Sequence, residues 1–337
     1  MMSEAQTVYV NKHNNVLIIG KAATTYSEKE IGYWKDYDEV LELFGESSLS
    51  EAFRMAQSRG VTDIFLMNVQ RKNDYLDIID PLKQNDFAYI VFTDLLISDF
   101  YRDSIDIETE HNYFAYIMGS LGPDHKSTII ATDKHSSLFE NVDDFIDYMN
   151  EVSQKFINCC SGQANKENML IVANNLSGSQ YANINLVSAI CTTPVSEYPS
   201  ADFGQAIFNI DSYDNPGCWA YFKSHDVRVT TVENLQNCKD SGMEKVFTVS
   251  RTKKYVDRHL DFSDFSGKLY NSYIKLRIQE RLKKYMDALM GEVIKDYEIQ
   301  NIAVYKDTPG TVRLVCYVTI VPYNCIEAIH LEKEVIV

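Results

Sequence analysis

The chain has 337 residues, 45% of them hydrophobic and 12% aromatic, with 22 Tyr and 16 Phe. That is enough for about two domains with real cores, and it excludes a disordered chain. A formal net charge of −16 repels phosphate backbones, so direct nucleic-acid binding is not expected. The opening Met1–Gln6 lacks a basic start and an apolar stretch, so no secretion leader is expected. The strongest apolar run, Phe87–Phe92, is far short of the ~18 residues of a membrane span, so no membrane insertion is expected. The seven Cys show no paired spacing and read as thiols of a reducing compartment.

In chain order, Gln6–Asn11 is β-prone. Val16–Ile19 is a continuous apolar run closed by Gly20, the pattern of a strand buried on both faces. Residues 36–44 predict a helix with Asp36 or Asp38 as N-cap and Gly45 past its end. Ser50–Arg59 predicts a second helix stopped by Gly60, and Thr62–Val69 another buried strand. The alternation continues: helix Asp74–Lys83, strand Phe87–Thr93, helix His111–Gly119, strand Ser127–Thr132, helix Val142–Phe156, strand Met169–Ala173, helix Asn183–Cys191. Short strands are expected at Val227–Val232 and Lys245–Val249.

The C-terminal part differs in kind. Residues 267–295 carry the strongest helical period, through Tyr270, Ile274, Ile278, Leu282, Met286 and Leu289, and hold seven basic residues against three acidic ones. Ile299–Tyr305 and Val312–Val321 around Pro309-Gly310 predict a β-hairpin. The final Ile326–Val337 is extended, apolar-rich and has no evident partner strand. These elements together predict an α/β (α+β) fold of layered mixed sheets with helices.

Enzyme motifs fail on inspection. Gly20-Lys21 follows a buried strand, but Asn15 and Ala22 occupy the places where a phosphate loop needs Gly and Ser or Thr. The seven His are scattered without a metal-ligand pair, and Ser177-Gly-Ser179 lacks the flanking glycines of a nucleophile elbow. No catalytic residue, metal or cofactor is expected.

Four N-terminal stretches occur in a distinctive order: Val16–Gly20, Tyr37–Gly45, Leu49–Ala56 and Gly60–Val69. With Asp77–Thr93, Trp219–Leu235, Tyr273–Gly291 and Gly310–Pro322 they resemble the contractile tail sheath proteins of phages and R-type pyocin-like particles. The resemblance implies an N-terminal arm and first strand (1–20), the start of the sheath core (21–93) and an outer, more variable part (94–218). It further implies a tube-facing inner domain (219–322) with the long helix, and a C-terminal arm (323–337). The arms would leave the subunit as strands and pair with neighbours through Thr7, Val8, Tyr9, Val10, Ile329, Leu331, Val335 and Ile336. Lys275, Arg281, Lys283 and Lys284 would dock on an acidic stripe of a tube protein.

The implied function is a structural subunit, not an enzyme. It would polymerise as a helical stack of rings, six-fold, around a tail tube, and contract from a metastable extended state. Tube, baseplate and tail-terminator proteins are the implied partners, with the virion tail as location and the host cytoplasm as place of assembly. Another self-assembling tail or baseplate protein is the alternative reading, and a small-molecule enzyme on an α/β fold a third.

Overall fold

A computed structural model describes residues 14–85, 87–102, 110–122, 125, 127–134, 138–140, 142–159, 169–172, 181–194, 218–220, 233–234, 252, 255–256, 260, 262–265, 271–308, 311–322 and 329–336. In chain order the first elements are β1 (Val16–Gly20), β2 (Ile31–Trp34), α1 (Tyr37–Phe44), α2 (Ser48–Ser58), β3 (Ile64–Asn68), α3 (Ile79–Gln84) and β4 (Tyr89–Phe92). There follow β5 (Phe100–Arg102), β6 (Glu110–Asn112), α4 (Tyr113–Leu121), β7 (Thr128–Thr132), α5 (Val142–Cys159), β8 (Met169–Val172), α6 (Ala182–Thr192), β9 (Cys218–Ala220) and β10 (Glu233–Asn234). The last are α7 (Ser272–Leu289), β11 (Ile294–Thr308), β12 (Thr311–Pro322) and β13 (Ile329–Ile336).

The chain forms two compact units. The first holds every element through β10 and the second holds α7 with β11, β12 and β13. In the first, eight strands run in the order β10-β9-β8-β7-β4-β1-β3-β2. The six central strands are parallel, and β2 and β10 close the edges antiparallel. Val16, Leu17, Ile18 and Ile19 are wholly buried, as the unbroken apolar run predicts for a strand covered on both faces. The fold is α/β.

Local chemistry explains the element boundaries. The Asp36 carboxylate accepts from the N–H groups of Asp38 and Glu39 and so starts α1; Gly45, at φ 70°, ends it. Ser47 and Ser50 exchange side chain-to-backbone bonds to open α2, slightly ahead of the predicted start. The helix expected over Asp74–Lys83 is instead a 3₁₀ turn (Lys72–Leu76) followed by α3. Pro81 explains the break, because its ring clashes with the carbonyl four residues earlier and is tolerated only in a first helical turn. The helix expected from His111 starts at Tyr113, because Asn112 caps it by accepting from Ala115 N–H. β2, β5 and β6 were not foreseen. The strands expected at Val227–Val232 and Lys245–Val249 lie outside the described residues.

β4 and β7, on either side of position 93/94, are hydrogen-bonded neighbours in one sheet. β9 and β10 belong to the large sheet, and the second unit's continuous part starts at Cys238.

Candidate assembly surfaces

In the second unit, β11 and β12 pair antiparallel with register shifts between Ile294 and Asp296, Ile299 and Asn301, and Lys306 and Thr308. β12 is the central strand, and Leu314, Cys316, Val318 and Ile320 form its buried row. The other edge of β12 carries β13, in register from Arg313↔Ile336 to Ile320↔Ile329. In register, Ile329, Leu331 and Val335 therefore stand opposite Ile320, Val318 and Leu314, and Ile336 stands opposite Arg313. The last segment, for which the sequence shows no evident partner strand, thus pairs with β12 of its own chain. Nothing in its sequence names the partner; β12 offers it because β11 takes only one of its two edges. Thr7, Val8, Tyr9 and Val10 lie outside the described residues.

α7 begins at Asn271, whose side chain accepts from Ile274 N–H at 2.9 Å. Its stripe Ile274, Ile278, Leu282, Met286 and Leu289 is buried, the spacing of one helix face. The four basic residues expected to act together do not share one face. Lys283 and Lys284 are exposed, whereas Lys275 and Arg281 are half-buried at the border of the stripe. Arg281 is also engaged at home: its guanidinium bonds the Asp264 carboxylate and lies 4.6 Å over the Phe265 ring. Two residues missed in the sequence complete the solvent face, Tyr273 and Leu276, which are 63% and 50% exposed. Their helical phase opposite the Ile274–Ile278–Leu282 stripe was the available signal. Farther along, Asp287 accepts from the Tyr297 hydroxyl at 2.5 Å; burial, reinforced by this carboxylate, pushes that phenol up to about 12.

An α/β enzyme would place its ligand at the carboxyl ends of the parallel strands, where connections leave β1 in opposite directions. Here β3 and β4 flank β1 and define that point. It is filled by the chain's own groups. One Asp94 oxygen accepts from Lys21 N–H at 2.7 Å, from the Ser48 hydroxyl at 2.5 Å and from the Thr93 hydroxyl at 2.6 Å. A carboxylate thus sits where a phosphate loop would hold phosphate. Beside it the wholly buried Asn68 accepts from Ala22 N–H and donates to the carbonyls of Thr24 and Tyr26, pinning the loop after β1. Lys29, at φ 62°, clamps the far end of this loop through Asp74 and Asp77. Both carboxylates hold the ammonium above its usual range. Among the described residues no His, Cys, Asp or Glu group is arranged to hold a metal, and no helix is long and apolar enough to cross a membrane.

No family model matches the sequence, and no curated protein does. Solved structures do. A sheath tail protein from Desulfitobacterium hafniense aligns over 100% of this chain and 99% of its own, with a TM-score of 0.59 and 11% identity. A sheath tail protein from Listeria innocua aligns over 96% and 95%, with a TM-score of 0.56 and 9% identity. The contracted helical sheath of the anti-feeding prophage aligns over 98% and 99%, with a TM-score of 0.54 and 11% identity. The fold is that of contractile-tail sheath proteins.

The sheath fold extends over both units, since the alignments leave almost none of the chain unmatched. At 9–11% identity what the sheath proteins share with this chain is the order and packing of elements, not a set of side chains.

Proposed function

We propose that the protein is a structural subunit of a contractile tail sheath. It polymerises as a helical stack of rings, six-fold, around a tail tube and shortens from a metastable extended packing to drive the tube forward. The observation that carries this reading is the full-length match to the sheath fold, which includes a chain taken from a contracted helical sheath. Head-to-tail contacts between identical subunits generate helical arrays whenever the rotation does not close. Work stored in a bistable packing requires no nucleotide, and the filled crevice at the end of β1 and β4 argues against a small-molecule enzyme.

In this reading the terminal segments link subunits by strand addition, through Thr7, Val8, Tyr9 and Val10 at one end and Ile329, Leu331, Val335 and Ile336 at the other. Lys283 and Lys284, with Tyr273 and Leu276 between turns of the same exposed face, dock on the tube protein, and Lys275 and Arg281 contribute only at the margin. Baseplate and terminator proteins cap the array, which assembles in the host cytoplasm and works in the virion tail.

Negative-stain microscopy of the purified protein tests the reading directly. Hollow helical tubes are expected, and a protein that stays monomeric under all assembly conditions would overturn it. Removing residues 323–337 is expected to abolish tube growth; normal tubes from that variant would show that the C-terminal strand does not link subunits.

A further inference from the structure

We infer that β13 caps its own subunit before assembly: it fills, within the same chain, the β12 edge that a neighbour's C-terminal strand takes in the sheath, so polymerisation waits on its release. The inference rests on the strand-exchange reading above and adds a closed state that precedes exchange. The β12–β13 ladder is continuous over eight residue pairs, from Arg313↔Ile336 to Ile320↔Ile329, with none of the register shifts that interrupt β11–β12. It covers the edge of a strand whose buried row is apolar. Left bare, such an edge presents unpaired N–H and C=O groups to any passing chain.

The acceptor edge is also selective. Ile329, Leu331 and Val335 pair in register with Ile320, Val318 and Leu314, and a slip of one residue would break all three pairings at once. Only an incoming strand with this alternation fits, and the chain's own strand and an identical copy's fit equally. Exchange then replaces like with like, as in domain swapping. The two states differ in tethering. The intrachain strand is attached through only the six residues 323–328, and so acts at a high effective concentration that a dilute neighbour cannot match. A neighbour already docked at a growing end loses that disadvantage. The same link reaches no more than about 20 Å when extended, which restricts exchange to an adjacent subunit.

Cross-linking across the ladder distinguishes the states. Cys316 stands opposite Lys333, so Lys333→Cys sets two thiols across the pair; Tyr317→Cys with Glu332→Cys does the same one pair along. Adjacent pairs of an antiparallel ladder alternate between close and wide Cα spacing, so one of these two variants has the closer spacing suited to a disulfide. Oxidised before assembly, the better variant is expected to give an intrachain bridge and a loss of tube growth that reductant restores. Oxidised after assembly, it is expected to give a ladder of joined chains on a denaturing, non-reducing gel. The unsubstituted protein, with its seven cysteines, controls for other pairings. Bridged subunits that assemble like reduced ones would overturn the cap. An absence of intrachain bridging in both free variants would overturn it too, and if a ladder still formed in tubes, exchange itself would survive. Only intrachain bridges in assembled tubes would defeat exchange and cap together while leaving the sheath reading intact. Reduced protein that forms no tubes would remove the sheath reading on which both stand.

Discussion

Asp94 gathers three donors at the mouth of the large sheet, and two of them, the Lys21 N–H and the Ser48 hydroxyl, belong to segments far away in sequence. Asp94→Ala strands those donors in a half-buried site and is expected to lower stability by about 2 kcal/mol, read from urea unfolding. Gly20→Ala attacks the same point from the other side. A Cβ there would lie 1.8 Å from the Thr93 hydroxyl oxygen, so Thr93 must turn away from Asp94, at a cost of about 1–3 kcal/mol. The strand end at Gly20 was legible in the sequence because an apolar run stops there. Its closure by Asp94 was not, because a carboxylate 74 residues from Gly20 gives no local sign of where it points.

Cys316 carries a pH dependence of its own. The side chain is wholly buried, and burial pushes the thiol from its ordinary 9.0 up to about 11. Between those values the unfolded chain has lost the proton and the native state keeps it, so stability falls as pH rises. The loss is absent below about pH 9 and complete by about 11, amounting to roughly 3 kcal/mol at about 1.36 kcal/mol per pH unit. Cys316→Val is expected to flatten this part of the curve relative to the unsubstituted protein in denaturant melts at stepped pH.

At the level of elements, α7 separates holding the fold from meeting a partner. Leu282 is wholly buried in its apolar stripe, and Leu282→Ala is expected to cost about 2–5 kcal/mol. Lys283→Glu with Lys284→Glu changes exposed positions and is expected to leave unfolding within about 0.5 kcal/mol while shortening or abolishing sheaths formed on tubes. Tube-length sheaths from that double variant would dismiss the docking role. The period of α7 was readable because five buried residues repeat at helical spacing. The grouping of its charges was not, because five basic residues against two acidic ones within α7 say nothing of which residues a neighbouring Asp264 and Phe265 already hold. β2 escaped notice for a related reason: Ile31–Trp34 is a half-buried edge strand with no unbroken apolar run. The break ahead of α3 was written in Pro81, but periodicity alone hides it.

For the whole molecule, the α/β layers followed from alternating segments, while the position of the last strand depended on a vacant edge that only the folded sheet displays. Directional assembly makes one further expectation available. A chain lacking residues 323–337 keeps β12 but brings no strand to it, so small amounts added to intact protein should stop growth and give shorter tubes by microscopy. Unchanged lengths would mean that the truncated chain never enters the array.

The register shifts in β11 bear on what kind of polymer this sheet can make. Strand addition repeated without limit yields cross-β fibres, which require flat edges stacked in perfect repeat. β11 is an outer strand of fifteen residues, long enough to seed such a fibre, yet its pairing is interrupted at three places along its length. Each interruption bends the strand and tightens its twist. Its edge is thereby poorly shaped for endless stacking, so the proposed trade of strands between neighbours would leave a bounded assembly and not an amyloid.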